Sequence, residues 1–234
     1  MIIKDNKKII NVYKSYDENE SFTKKWSNIN LGNKVIEQEK LNDSKSILDE
    51  SNLKLFDKKI LDVGCAGGST IRLSLKLGAK EKNIHGIDIR EDRVIKAKKS
   101  FINANISVMD ARSTDYPDEY FDVIITFTLL SSILNTNYRI KISEEINRLL
   151  KPNGYILYYD FRYGNPFNSN VREVSYKEIE QLFPKMNKKL RLITLLPPLA
   201  RKLKGPTIQL YPFLSKFSLL KTHYLGLFKK NSNP

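Results

Sequence analysis

Ile60-Leu61-Asp62-Val63-Gly64-Cys65-Ala66-Gly67-Gly68-Ser69 is the stretch from which the rest of this 234-residue chain is read. An apolar, β-rich run over residues 59–63 ends in a glycine-rich turn. A helical pattern over 69–77 follows, stopped by Gly78. Glycines let the backbone turn sharply and let a ligand come close to it. The N–H groups that open the following helix can receive an anionic group such as a carboxylate or phosphate. In open parallel sheets, ligands sit beyond the carboxyl ends of the strands.

Outward from this turn, strand and helix patterns alternate. Strands are predicted over 83–89, 105–109, 121–127 and 155–161. Helices are predicted over 92–101, with Val94, Ile95, Ala97 and Phe101 inward, and over 137–150, with Ile140, Ile142, Ile146, Leu149 and Leu150 inward. The run Phe121-Asp122-Val123-Ile124-Ile125-Thr126-Phe127 is almost wholly apolar, which suits a parallel strand buried on both faces. Lys151-Pro152-Asn153-Gly154 punctuates the chain before the 155–161 strand. Strands alternating with helices predict βαβ units and a sheet covered on both sides. After Phe161 the rhythm changes to a loop over 164–170 and a helix over 175–183. Ser175 is its expected N-cap and Glu178 stands at capping-box spacing. Strands over 190–196 and 222–229 flank an apolar and basic insertion that opens with Pro197-Pro198. The expected fold is a doubly wound α/β sheet of seven strands, mostly parallel, with the last antiparallel. The expected division is an N-terminal helical cap or arm over 1–55 and a main domain over 56–234, with a lid-like insertion over about 197–221. Before residue 33 the chain reads as polar with scattered aromatics (Tyr13, Tyr16, Phe22 and Trp26), and a helix is predicted over 33–55.

Asp88, in Gly86-Ile87-Asp88-Ile89, stands 26 residues after Asp62 at the end of the second strand. A carboxylate there accepts hydrogen bonds from both hydroxyls of a ribose; its alternative role is to cap the next helix. Two details weigh against a dinucleotide. Gly64, Gly67 and Gly68 do not have the Gly-x-Gly-x-x-Gly spacing that clears a pyrophosphate. Asp62, two residues before Gly64, repels a pyrophosphate and favours a cation, such as the sulfonium and amino groups of S-adenosylmethionine (SAM).

Leu61-Asp62-Val63-Gly64-Cys65-Ala66-Gly67-Gly68 resembles the first motif of class I SAM-dependent methyltransferases, commonly Asp-x-Gly-x-Gly-x-Gly. Ala66 departs from it where glycine is usual. Val108-Met109-Asp110-Ala111, Phe121-Asp122-Val123-Ile124 and Leu149-Leu150-Lys151-Pro152-Asn153-Gly154-Tyr155 resemble later motifs of that Rossmann-like family, in order. The resemblance implies SAM as cofactor. Asp62, Gly64, Cys65, Ala66 and Gly68 would lie around the methionine moiety, and Asp88 and Ile89 at the ribose. Asp110 and Ala111 would flank adenine, with Thr126 and Phe127 near the methyl group. Asp122 is assigned a structural turn, Cys65 packing rather than nucleophilic work, and no metal ligands are assigned.

Methyl transfer from a sulfonium is an in-line displacement that rests mainly on alignment and desolvation. A base is needed only where the acceptor must lose a proton. Asp160, in Tyr158-Tyr159-Asp160-Phe161-Arg162, is the candidate base; its alternative is pairing with Arg162. Tyr159, Arg162 and Asn165 are candidate acceptor contacts, with loop anchoring as the alternative for Arg162 and Asn165. His85 and His223 are read as structural. Stretches 158–166, 195–201 and 222–227 resemble a bacterial type 11 subgroup, whose members commonly belong to surface-polysaccharide or secondary-metabolite pathways. The leading reading is methyl transfer to a hydroxyl or other heteroatom of a small molecule or surface-glycan intermediate. The alternatives are an RNA methyltransferase, a non-catalytic SAM-binding protein and, further out, a nicotinamide-dependent oxidoreductase.

Composition bounds the setting. Lys plus Arg number 40 against 26 Asp plus Glu, a formal net charge of +14. That charge attracts nucleic acid, anionic lipid or anionic sugars, or simply solvates the surface. Nucleic acid is the less favoured partner, because no run of five or more basic residues forms a binding arm. Thr126-Phe127-Thr128-Leu129 also stands where an Asn/Asp-Pro-Pro-Tyr-type motif would be expected. Cys65 is the single cysteine, which excludes an intramolecular disulfide and suggests a reducing compartment. No secretory-signal pattern is read at Met1. A cytoplasmic setting is expected, with peripheral contact at the inner membrane through residues 199–221 as a further expectation.

Overall fold

The computed structural model describes residues 2–20, 29–165 and 168–232. Phe22, Trp26, Pro166 and Phe167 lie outside the described residues. In chain order, α1 (Ile2–Glu18) and α2 (Leu31–Asp49) lead to β1 (Ile60–Val63), α3 (Ser69–Lys76), β2 (Ile84–Asp88), α4 (Glu91–Ser100) and β3 (Asn105–Val108). Then come β4 (Phe121–Phe127), α5 (Thr136–Leu149), β5 (Leu150–Phe161), α6 (Tyr176–Leu182) and β6 (Asn187–Leu195). The chain continues through α7 (Pro197–Lys202), the one-turn α8 (Tyr211–Leu214) and β7 (Lys221–Lys229). The strands form one seven-stranded sheet in the order β3-β2-β1-β4-β5-β7-β6. β1 to β5 pair in parallel and β7 runs antiparallel, as the sequence predicts. The order reverses between β1 and β4, the point at which such sheets leave a crevice at their carboxyl edge.

Contacts divide the chain into two units. The larger comprises Ser44–Arg191 and Tyr224–Pro234. Its core packs Leu61, Val63, Ile87, Ile124, Ile156 and Tyr158 of the sheet against Ile142, Ile146 and Leu149 of α5, Ile179 and Leu182 of α6, and Phe228 of β7. Arg139 of α5 is fully buried. Its guanidinium donates to the carbonyls of Ile133 (2.7 Å), Arg172 (3.0 Å) and Glu173 (3.0 Å) and to both oxygens of Glu178 at 2.9 Å. Ser175 caps α6, its hydroxyl accepting from the Glu178 amide at 3.2 Å.

The smaller unit comprises Met1–Asp43 and Leu192–His223. Ile36, Leu195, Ala200, Leu203 and Tyr211 form its core. The Tyr211 hydroxyl donates to Glu39 at 2.7 Å, and the same carboxylate accepts from the Thr194 amide at 2.9 Å. Gly32 at the start of α2 admits the α7 backbone: a Cβ there would stand 2.1 Å from the Ala200 carbonyl oxygen. His223 is buried beside Thr222 (2.9 Å), and burial pushes its imidazole down to about 3, so it stays neutral.

Within the expected helical arm the first residues form α1, in which Ile9, Ile10, Val12, Tyr13 and Tyr16 are half-buried and Lys7, Asn11 and Lys14 exposed. Three expectations are corrected. Ile95 and Ile140 are exposed, because Val94, Ala97 and Phe101, and Ile142, Ile146 and Leu149, already fill the inward faces of their helices. α2 ends at Asp49 rather than continuing to Leu55. β5 starts at Leu150, not after the Lys-Pro-Asn-Gly turn. Phe121 pairs with Leu150 and Val123 with Tyr155, so the turn is absorbed as a bulge. Asn153 takes φ 59°, a left-handed conformation asparagine tolerates.

Candidate functional site

The parallel register sets the candidate residues along one edge of the sheet. Asp62 of β1 lies opposite Gly86 of β2 and Ile125 of β4. Thr126 and Phe127 follow Ile125, and pair with Tyr158 and Tyr159. Asp88 pairs with Val108, and Asp110 follows two residues later. The structure thus brings Asp110, Asp88, Asp62, Thr126, Phe127, Tyr159 and Asp160 to the carboxyl ends of five successive strands. Arg162 and Asn165 follow β5.

The turn after β1 needs three left-handed residues. Gly64 takes φ 78°, Ala66 44° and Gly68 87°. A Cβ on Gly68 would come within 2.3 Å of the Phe101 ring, and one on Gly64 within 3.0 Å of Leu129. Ala66 therefore holds, at some strain, a conformation that glycine adopts freely. The loop is fastened to β2: the Gly64 and Cys65 amides donate to the Ile87 carbonyl at 2.8 and 3.0 Å. The Ala66 amide donates to the Asp88 carboxylate at 2.9 Å.

Asp88 also accepts from the Arg90 amide at 2.8 Å, one amide on each oxygen. A carboxylate has about four acceptor positions, so lone pairs remain for further donors. Burial raises the Asp88 pKa, and the two amide bonds oppose that rise. Asp62 differs. It is 1% exposed, and its Oδ2 has no hydrogen-bond partner. Burial first, and the charge of Asp88 second, hold its carboxyl well above the usual carboxylate range. The Thr126 hydroxyl, on the neighbouring strand, is likewise buried and without a partner, as is the Tyr158 hydroxyl. Buried polar atoms are normally paired. An orphan carboxylate oxygen at a ligand-binding edge fits the ammonium end of an amino acid moiety.

Asp110 carries a partner that the sequence reading did not include. The Arg112 side chain holds both its oxygens, with Nε at 2.9 and 3.1 Å, and the Arg112 amide donates to it at 3.0 Å. The guanidinium also lies 4.3 Å from the Tyr138 ring centre. The two-residue spacing of Asp110 and Arg112 was the available signal. Ile89 and Ala111 follow the β2 and β3 acids directly, and both are half-buried. Cys65 is buried, and burial, then Asp62 and Asp88, push its thiol far up, so it packs as a neutral thiol.

On the acceptor side, Phe127 and Tyr159 are in ring contact at 5.3 Å. Asp160 is fully buried. It accepts from the Ser131 amide at 3.1 Å and the Phe161 amide at 2.9 Å, and burial raises its pKa to about 6. The Arg162 guanidinium lies over the Tyr163 ring at 4.3 Å. Asp122, left outside the site, accepts from the Lys59 amide (2.8 Å) and Lys151 (2.9 Å), which is a structural role. His85 packs edge-on against Tyr116, Tyr120 and Phe121. Burial, aided by Lys59, lowers its pKa. Among the described residues no group of three or more His, Cys, Asp or Glu is placed to hold a metal ion.

Residues 60–154 match a family described as a methyltransferase domain. A ubiquinone biosynthesis O-methyltransferase of Actinobacillus pleuropneumoniae is 32% identical over 114 residues, which cover 44% of this chain and 46% of the relative. A sterol 4-C-methyltransferase of Caenorhabditis elegans is 29% identical over 128 residues, 52% of this chain and 36% of the relative. The chain thus spans about half or less of the length of these curated relatives. A SAM-dependent methyltransferase of Methanosarcina mazei superposes with a TM-score of 0.58 at 19% identity, over 80% of this chain and 98% of that one, a likeness of fold.

Proposed function

We propose that this chain, whose residues 60–154 form a class I SAM-dependent methyltransferase domain, transfers a methyl group from SAM to a hydroxyl of a small molecule or surface-glycan intermediate. The observation that carries the donor half is the buried Asp62 oxygen without a partner, next to the loop fastened to Asp88. When bound, SAM supplies a methyl group already activated on a sulfonium. Asp62 would receive its amino group, Thr126 and Phe127 would lie near the methyl group, and Gly64, Cys65, Ala66 and Gly68 would let the methionine moiety approach the backbone. Asp88, with Ile89 beside it, keeps acceptor positions for the ribose hydroxyls. Asp110 and Ala111 would flank adenine, with Arg112 fixing the orientation of the carboxylate.

The acceptor half rests on Tyr159 near the end of β5 and on Arg162 and Asn165 just after it, a mixture of ring, cation and amide suited to a polyhydroxy or anionic molecule. Asp160 supports this site as a positioning residue: one oxygen accepts from the Ser131 amide and the other from the Phe161 amide, which holds Ser131 against β5, and the carboxylate is enclosed rather than open to an acceptor. The O-methyltransferase among the relatives supports oxygen as the receiving atom; the sterol enzyme acts on carbon by its name, so the acceptor atom is what the assay must decide. The test is calorimetry with SAM against NAD, followed by release of S-adenosylhomocysteine in the presence of nucleotide sugars, lipid-linked glycans, phenols and RNA. Turnover with a hydroxyl-bearing small molecule or glycan is expected. Absence of SAM binding would sink the proposal, and turnover on RNA alone would replace its acceptor half.

A further inference from the structure

Charge is unevenly distributed along the chain. Eleven Lys and Arg follow Glu180, with no Asp or Glu among residues 181–234. Most of the net +14 therefore resides in that stretch. Within the smaller unit, the excursion between β6 and β7 winds through a 3₁₀ turn (Gly205–Leu210), α8 and a second 3₁₀ turn (Ser218–Leu220). Backbone hydrogen bonds bridge these pieces: the Ser215 amide donates to the Tyr211 carbonyl (2.8 Å), Lys216 to Phe213 (3.1 Å) and Phe217 to Leu214 (3.2 Å).

This winding sorts its apolar side chains into two sets. Ile208, Tyr211, Leu214 and Leu220 turn inward onto Ile36, Leu195, Ala200 and Leu203. Leu210, Phe213, Phe217 and Leu219 turn outward, and are 50%, 57%, 50% and 79% exposed. Phe213 and Phe217 meet edge to face at 5.5 Å. The unit's own core is complete without them: Tyr211 is buried and anchored by Glu39. Lys202, Lys204 and Lys216 are exposed along the same excursion, and none forms an ion pair with a described residue.

Scattered surface apolar residues need no explanation, but four within ten residues, on a backbone pinned from beneath, do. Aromatic and aliphatic tips flanked by lysines are the chemistry of the headgroup–acyl boundary, where the tips leave water and the ammonium groups stay at the phosphates. A nucleic acid would use the two rings but has nothing to offer Leu210 and Leu219. We propose that this excursion docks on an anionic lipid bilayer, with Leu210, Phe213, Phe217 and Leu219 entering the boundary and Lys202, Lys204 and Lys216 at the headgroup phosphates. The docking does not depend on which acceptor is methylated. Among the described residues no helix is long and apolar enough to cross a membrane.

The experiment is co-sedimentation of the full chain with phosphatidylcholine vesicles, with and without phosphatidylglycerol, over a salt series. Binding is expected only with phosphatidylglycerol present and is expected to fall with salt. Each lysine near an anionic surface is worth about fivefold, so the K202Q/K204Q/K216Q variant should bind about a hundredfold more weakly. F213S/F217S should lose at least about tenfold. Thermal unfolding and SAM affinity, read on the same samples, show that both variants are folded. Equal binding to neutral vesicles, no binding by the wild-type chain, or vesicle binding unchanged in both variants would overturn the proposal. So would self-association abolished by F213S/F217S without vesicle binding, or RNA binding that competes the chain off vesicles.

Discussion

Replacing Asp62 by Asn should move stability and affinity in opposite directions. The side chain is 1% exposed, its Oδ2 is unpartnered, and Asp88 adds like charge. An unsatisfied buried polar atom costs about 1–3 kcal/mol. The isosteric amide removes the charge, so Asp62→Asn should leave the unliganded protein at neutral pH as stable as wild type or up to about 2 kcal/mol more stable. With SAM the sign reverses. A hydrogen bond from an ammonium to a carboxylate contributes about 1.5–3 kcal/mol, so the variant should bind SAM about 10- to 150-fold more weakly. Linkage supplies a second readout. Because the folded pKa of Asp62 lies above the ordinary 3.8, the folded state holds the proton more tightly than the unfolded chain. Stability is therefore fullest below pH 3.8, and declines as pH rises through the folded pKa. That part of the slope should vanish in Asp62→Asn, while SAM affinity of the wild type should rise with pH over the same interval. Urea unfolding at several pH values and calorimetry with SAM measure both. A variant destabilised by more than about 1 kcal/mol with SAM affinity intact would refute the reasoning, since Asp62 would then be a paired structural acid.

Other residues give independent tests. Ala66→Gly relieves a φ of 44° and should raise stability by about 0.5–1 kcal/mol in thermal melts, net of the entropy glycine adds to the unfolded chain. Arg139→Leu leaves Glu178 and three carbonyls without their shared buried donor, and should cost about 3–5 kcal/mol by chemical unfolding. Asp160, raised from 3.8 to about 6 by burial, should make stability fall by about 3 kcal/mol as pH rises through that interval; Asp160→Asn should abolish the part of the slope ending near pH 6. If Asp160 only positions Ser131, turnover in Asp160→Asn falls by less than about a hundredfold and the pH–rate profile keeps its shape. A larger loss with a vanished acid limb would make Asp160 the base.

The alternation from β1 to β5 was readable because β1, β2 and β4 are short, largely apolar runs, β1 closing on Gly64 and β2 on Asp88, and the helices between them have polar faces. Ile95 and Ile140 were misplaced because periodicity ranks faces by apolar content. Burial is decided by which side chains the sheet can still accommodate, and their neighbours had filled that space. α1 was not delimited within the helical arm because its half-buried face consists of isoleucines and tyrosines separated by lysine and asparagine, a stripe too narrow to stand out from a polar background. Of the site, Asp62, Asp88 and Asp110 were found by position. Their different states were not: one is orphaned, one holds two amides and one is clamped by Arg112. Those states depend on which donors other segments bring, such as the Ala66 amide to Asp88, and no local pattern encodes that.

These differences separate roles that position alone leaves equal. Asp110 has its oxygens directed by Arg112, so a ligand there meets a carboxylate of fixed orientation and reduced charge, suited to a neutral amine. Asp88 keeps lone pairs after two amide bonds, suited to neutral hydroxyls. Asp62 has neither cation nor amide on its buried oxygen, and gains most from a positive ligand. From β3 to β1 the edge thus grades from a compensated acid to an uncompensated one. That grading matches a ligand that is neutral at its aromatic end and cationic at its amino acid end. It also disfavours a dinucleotide, whose pyrophosphate would lie where the edge is least able to accept negative charge.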